Sequence, residues 1–317
     1  MPWIVGIDEA GYGPNLGPFV MSAVACRVPD CHRGADLWDV LRTAARRHGE
    51  EPDGRFIVAD SKLVYAGGKG LADLERGALA AGARVLQSLQ HLVDHFCPHH
   101  AEELGREAWY AGTTTLPVAA EVESCAAAAA ALAVSCGEQE VCWGPVHSFV
   151  VCPGTFNGLL NRWGSKGAVL ATALVKLLGQ VRELPGHGEE LRVFIDKHGG
   201  RNNYAATLQP AFPDALVLAA EEGSRRSTYR VCDPSQPVEI TFEPRADYNH
   251  FAVALASMVS KYLRELLMLE FNSFWASKVP GIEPTAGYPG DSRRFWDAIR
   301  AAAMQLGLAE DALWRRK

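Results

Sequence analysis

Asp8 and Glu9 stand side by side at the end of the apolar run Trp3 to Ile7, followed at once by Gly11, Gly13, Pro14, Gly17 and Pro18. Adjacent carboxylates on a buried strand are costly, because an unpaired buried charge is driven to take up a proton. Something cationic must meet them. Asp196 repeats the pattern at the end of Arg192-Val193-Phe194-Ile195. Asp247 comes just before a long apolar segment, where a carboxylate could cap free N–H groups and be kept ionised by a helix dipole. Hard oxygen donors drawn from distant segments suit Mg²⁺ or Mn²⁺ rather than zinc. A pair of such ions performs phosphoryl transfer by activating a water and stabilising the leaving oxygen, so phosphodiester hydrolysis is the expected chemistry. An isolated Asp at such places is more often a turn residue or a cap; adjacency to Glu9 on an apolar strand argues against that for Asp8.

These acids need a scaffold. Trp3 to Asp8 predicts a strand buried on both faces, and Phe19 to Val28 a second, antiparallel to it across the glycine-rich turn. Alternation would send Asp8 and Glu9 to opposite faces, so a break at Gly11 is expected to bring both to one site. A short helix is expected at Leu37 to His48, a long one from Gly70 to Phe96, a strand at Val146 to Val151, and a helix from Phe156 to Val181 broken near Gly164. Leu191 to Ile195 and Leu216 to Ala220 read as strands, and Tyr229 to Val231 with Glu239 to Phe242 as a hairpin around Asp233, Pro234 and Pro237. A long buried helix runs from Tyr248 to about Ala276, and helices are expected at Arg294 to Leu306 and Asp311 to Arg316. Strands and helices intermingle, which predicts an α/β fold with a mixed sheet flanked by helices.

At this level the sequence resembles a known family. Gly6-Ile7-Asp8-Glu9-Ala10-Gly11 with Gly13-Pro14 and Gly17-Pro18 is similar to the opening motif of type 2 ribonucleases H. Asp60-Ser61-Lys62 resembles that family's next motif and Ile195-Asp196 its third acidic position, with Tyr204, Leu208, Phe212 and Pro213 following in step. Arg245-Ala246-Asp247, running on into Ala254 to Lys261, resembles the fourth acidic motif, and Gly287-Tyr288-Pro289-Gly290-Asp291 the substrate-contacting one. The resemblance implies a ribonuclease H-like sheet over 1–276, with an insertion at about 92–145, and a helical C-terminal, substrate-contacting extension over 277–317. It implies catalysis and Mg²⁺ or Mn²⁺ binding by Asp8, Glu9, Asp196 and Asp247, on RNA/DNA hybrids or DNA containing ribonucleotides, leaving a 5′-phosphate and a 3′-hydroxyl. Gly11, Tyr12 and Gly13 would read the ribose 2′-OH, the group that separates RNA from DNA. Tyr288 would pack on the neighbouring sugar, with Ser61 and Lys62 near the substrate backbone. The sequence departs from the family at Tyr12, where arginine is usual between the two glycines, and at Lys197, where a small residue is commoner.

Composition bounds the rest. The 317 residues are 48% hydrophobic and 21% charged, ordinary globular usage in which no run reaches membrane-spanning length. Eight cysteines without a CxxC pair predict reduced thiols and a cytoplasmic protein, expected to act as a monomer. The net charge of −6 argues against a phosphate-rich partner, but Arg225, Arg226, Arg230 and Arg245, then Lys261 with Arg264, then Arg315, Arg316 and Lys317, form local basic clusters. His91, His95, Cys97, His99 and His100 invite a zinc site, against the commoner reading of a solvated helix end. His198 beside Asp196 reads first as a surface-loop histidine. Gly164-Ser165-Lys166-Gly167 does not fit a Walker motif. Two alternatives to a hybrid-cleaving nuclease stay open: a hybrid-binding scaffold without turnover, and a nuclease of the same fold acting on another structured nucleic acid.

Overall fold

The structure, a computed structural model, describes residues 1–66, 70–233 and 236–316. Pro234 and Lys317, named above in the hairpin and the last basic cluster, lie outside the described residues. The chain begins with β1 (Trp3–Ala10) and β2 (Phe19–Arg27), then α1 (Leu37–Val40), β3 (Ala45–Arg46), β4 (Phe56–Ile57), α2 (Ser61–Ala66), α3 (Gly70–Ala81), α4 (Leu89–Phe96), α5 (Ala101–Leu104) and α6 (Val122–Glu138). It continues with β5 (Cys142–Val151), α7 (Pro153–Trp163), α8 (Lys166–Val181), β6 (Leu191–Asp196), α9 (Ala205–Leu208), β7 (Leu216–Glu222), β8 (Ser227–Cys232) and β9 (Val238–Glu243). It ends with α10 (Ala246–Asn249), α11 (Phe251–Lys278), α12 (Pro289–Gln305) and α13 (Glu310–Leu313).

Seven strands form one mixed sheet in the order β5-β2-β1-β6-β9-β8-β7, with β3 and β4 making a small separate pair. β1, β6 and β9 are parallel; β5, β2, β8 and β7 complete the sheet through antiparallel pairs. Alternation along the strands then splits the core in two. Val5, Ile7, Phe19, Met21, Val193 and Ile195 pack toward Phe156 of α7 and the apolar stripe of α8. Val20, Val24 and Cys26 face the other way, onto α11, α3 and α4. α11 crosses β1 at Gly6, where an added Cβ would lie 2.1 Å from the backbone of both Ala252 and Val253. Only glycine permits that approach. Among the described residues no helix is long and apolar enough to cross a membrane, and all eight cysteines are free.

Three expected helices are interrupted, each for a local reason. The first stops at Val40, because the chain turns after Leu41 to feed the short β3–β4 pair. The stretch 70–96 is two helices: Ala83 adopts a positive φ of 52°, and Ser88 caps a fresh start by accepting the His91 N–H at 3.2 Å. The last long helix is divided at His250, whose extended backbone lets its ring stack on Phe194 at 4.0 Å. The break at Gly164 is present, with a left-handed φ of 72°.

The segment expected as an insertion is bound to the scaffold by two buried carboxylates. Glu75 accepts the N–H groups of Val118, Ala119 and Ala120 at 2.7–2.8 Å and the Tyr262 hydroxyl at 2.6 Å. Glu270 accepts those of Ala111, Gly112 and Thr114. Glu75→Gln replaces one accepting oxygen with an NH₂ and strands two of its four donors, since each oxygen serves two. It should cost on the order of 1–3 kcal/mol, read from the urea midpoint at constant m-value. An unchanged midpoint would show that water replaces these bonds freely.

Candidate active site

The parallel strands β1, β6 and β9 end at one edge of the sheet, the edge where α/β folds hold ligands. Ile7 pairs with Ile195, so Asp8 and Asp196 follow at the same level, and Asp196 pairs in turn with Glu243. Asp196 accepts the Ala246 N–H at 3.1 Å, where Arg245 turns through a left-handed φ of 57°. That bond starts α10 and places Asp247 in its first turn. Asp247 is therefore not the cap of the long helix α11 but a residue of the short helix before it.

Asp8 and Glu9 leave β1 on opposite faces, because β1 stays paired with β2 through Ala10 and does not break before Gly11. Asp8 faces α11: its carboxylate is hydrogen-bonded by Ser257, whose hydroxyl lies 3.0 Å from that of Ser61, and its carbonyl accepts from Ser260 at 2.9 Å. Glu9 faces the α8 side, with an oxygen 4.0 Å from His198 Nε2. His198 is not a surface-loop residue. Its side chain is 7% exposed, edge-on to Tyr204 and Phe242, with its pKa lowered to about 4 by burial and by Arg201. It is a neutral imidazole against Glu9.

The acids share one field across the strand ends. Burial, then Glu9, push the Asp8 carboxyl well above the usual range. Burial and Asp196 raise Glu9 to about 7; burial, Asp60 and Asp196 raise Asp247 to about 6; burial raises Asp196. Lys62 opposes the shift at Glu9, Asp196 and Asp247, so its ammonium is the resident countercharge. Among the described residues no three His, Cys, Asp or Glu side chains are grouped closely enough to hold a metal ion. The donor set, all carboxylate and short of cations, nonetheless has the chemistry a hard divalent ion takes.

A pH test follows from these shifts. Raised carboxyl values mean that the metal-free fold binds more protons than the unfolded chain, so this stability is full at low pH and lost as pH rises through about 6 and then about 7. The depressed His198 contributes the opposite slope, so the diagnostic is a difference. Glu9→Gln should gain melting temperature relative to wild type as pH rises through about 7, and lose that advantage when Mg²⁺ is added. A constant difference across that interval would mean that Glu9 is not desolvated.

The glycine-rich turn is held from behind. Gly11 has a φ of 84°, and a Cβ there would lie 2.8 Å from Pro18 O and 2.5 Å from Arg264 Nε. Arg264, 1% exposed, donates to Pro18 O at 3.2 Å and Ala286 O at 2.9 Å. Arg315, fully buried, donates to Pro14 O, and its backbone exchanges bonds with Asn15. Asn15 and Leu16 in turn donate to Gly287 O at 2.7 and 3.2 Å, which brings Tyr288 beside Gly13. Tyr288 is 45% exposed, with the Arg264 guanidinium 5.7 Å from its ring centre. Tyr12 is half-buried, edge-on to Phe19. Ser61 is 5% exposed and accepts from Ser257, while the neighbouring Lys62 is exposed.

Several expectations change here. Lys261 is paired with Glu265 at 2.6 Å, Arg226 and Arg230 with Glu243 and Glu239, and Arg315 is internal, so much of the basic clustering seen in the sequence is neutralised or buried. Of the histidine-rich stretch, His95 pairs with Gly82 O and His100 is buried against Phe149 rather than solvated. Sequence reasoning missed Asp60, which caps α2 through the Lys62 N–H at 2.8 Å and repels Asp247; its place in Asp60-Ser61-Lys62 was the available signal. It also missed Glu243, which accepts from His250, Arg226 and Asn249 beside the acids; nothing in its sequence surroundings marks it.

The mixed sheet carries helices on both faces and a helical last segment. The chain is similar to RNase HII of Archaeoglobus fulgidus, solved in complex with PCNA, at 13% identity and a TM-score of 0.45, over 99% of this chain and 94% of that one. It is similar to ribonuclease H2 of Pyrococcus horikoshii at 14% identity and a TM-score of 0.45, over 98% and 92%. It is similar also to Bst-RNase HIII in complex with Mn²⁺ at 14% identity and a TM-score of 0.42, over 99% and 66%. No family model matches the chain, and no curated protein does.

Proposed function

We propose that the chain is a metal-dependent endonuclease that hydrolyses the RNA strand of RNA/DNA hybrids, or ribonucleotides embedded in DNA, leaving a 5′-phosphate and a 3′-hydroxyl. The observation that carries this reading is the juxtaposition of Asp8 and Glu9 at the end of β1, Asp196 at the end of the parallel strand β6 and Asp247 in the first turn of α10, where Glu9, Asp196 and Asp247 each raise the carboxyl of a neighbour and Lys62 opposes the rise at Glu9, Asp196 and Asp247. These four carboxylates would hold Mg²⁺ or Mn²⁺, which when bound lowers the pKa of a water and stabilises a leaving oxygen. Lys62, exposed and no longer needed as countercharge, would turn to a substrate phosphate. The turn Gly11-Tyr12-Gly13 would present backbone groups to the ribose 2′-OH, with Tyr288 beside Gly13 against the adjoining sugar. Arg264 and Arg315 brace the chain just after that turn by donating to the carbonyls of Pro18 and Pro14.

One observation favours the scaffold alternative: no ligand group stands assembled among the described residues. The experiment that separates the readings is cleavage of three labelled duplexes in Mg²⁺ or Mn²⁺: a long hybrid, DNA with one ribonucleotide, and DNA alone. The expected result is cutting of the first two only, with a 5′-phosphate on the product. Binding without cutting would establish the scaffold; cutting of DNA alone would remove the 2′-OH argument and favour another nucleic-acid substrate.

A further inference from the structure

Lys166 and Arg201 lie beside Tyr12, and Arg162 and Trp163 stand on the turn that leads into Lys166. That turn joins α7 to α8. Arg162 is exposed, with its guanidinium 4.9 Å above the Trp163 ring, and Trp163 is itself 57% exposed. Lys166 opens α8 with its ammonium 5.9 Å from the ring centres of both Tyr12 and Phe156. Arg201 arrives from the loop after β6: its Nη2 would lie 3.8 Å from a Cβ on Gly167, and its charge acts on the Tyr12 phenol and on His198. Glu9 also acts on Tyr12, so this surface borders the acid site directly.

Neither Arg162 nor Arg201 forms an ion pair among the described residues, and the first turn of α8 contains no acid. In a chain of net charge −6, two guanidinium groups without an ion pair, one of them over an exposed indole, call for an anionic, stackable partner. We infer that Arg162, Trp163, Lys166 and Arg201 form a second nucleic-acid contact, carrying the phosphate backbone of the bound duplex away from the acids past Tyr12. Arg162 and Arg201 take phosphates; Trp163, backed by Arg162, offers a flat face to a sugar or an unpaired base. The inference rests on the nucleic-acid reading of the acid site and adds where the duplex runs.

The test is the salt dependence of affinity for a fluorescent RNA/DNA hybrid in EDTA, where hydrolysis cannot contribute. Each phosphate contact on a duplex adds about 0.9 to the slope of log K against log salt, so Arg162→Gln/Arg201→Gln should flatten it by about 1.8. Arg162→Lys/Arg201→Lys should restore the slope, which a loss of folding would not allow, and Trp163→Ala should weaken binding with the slope kept. A wild-type slope in the double glutamine variant overturns this contact alone. A wild-type chain that binds no duplex overturns the nucleic-acid reading together with it.

Discussion

Asp8→Asn should lower hydrolysis of the RNA strand by several orders of magnitude while the protein folds as well as wild type or better. The substitution preserves shape and leaves an oxygen for the Ser257 bond, and the backbone carbonyl still accepts from Ser260. What it removes is a negative charge that burial and Glu9 already make costly, so the metal-free variant loses repulsion rather than packing. It equally removes a carboxylate from the set that would hold the ion, and charge stabilisation at the reacting phosphate goes with it. Loss of turnover with an equal or higher melting temperature is thus the expected pair of readings. Wild-type turnover would remove Asp8 from the site; a large fall in melting temperature would make it a structural residue.

Gly6→Ala should have the largest effect on folding of any single methyl group in the motif region. The added carbon would lie 2.1 Å from backbone atoms of Ala252 and Val253, and neither the central strand nor the fully buried start of α11 can yield cheaply. Overpacking ordinarily costs roughly 1–3 kcal/mol, and contact with two backbones puts this change at or above the upper end. Chemical denaturation should show a correspondingly lower midpoint or no folded protein. Activity should fall in proportion, because α11 supplies Ser257 and Ser260 beneath Asp8. A normal midpoint would mean that β1 and α11 do not approach as closely as described.

The two substitutions bracket what could be read in advance. Short apolar runs at Trp3 to Ile7 and Leu191 to Ile195 marked the central strands, and the acids at their ends were legible because charge terminates an apolar run abruptly. Helix boundaries were less legible where a helix ends and restarts inside one leucine pattern. Ser88 and His250 divide such patterns by a cap and by a ring stack, neither of which alters the spacing of apolar residues. Basic clusters misled for a related reason. Arg264 and Arg315 look like phosphate ligands in sequence, but their N–H groups serve carbonyls of the 11–18 turn, a use that depends on partners remote in the chain. Arg162 and Arg201, unremarkable in sequence, form no ion pair among the described residues, although Arg201 donates to the Thr207 hydroxyl. The motif Asp8-Glu9 was legible as chemistry but not as geometry, since the unbroken pairing to Ala10 keeps the two side chains on opposite faces.

Calorimetric titration of Mn²⁺ into the metal-free protein, above the pH at which Glu9 loses its proton at about 7, tests the shared acid field most directly. Wild type should give saturable binding that Asp8→Asn weakens and Asp8→Asn/Asp196→Asn abolishes, with Asp60→Asn much less affected. Equal binding by wild type and the double variant would place the ion elsewhere and contradict the assignment of these carboxylates.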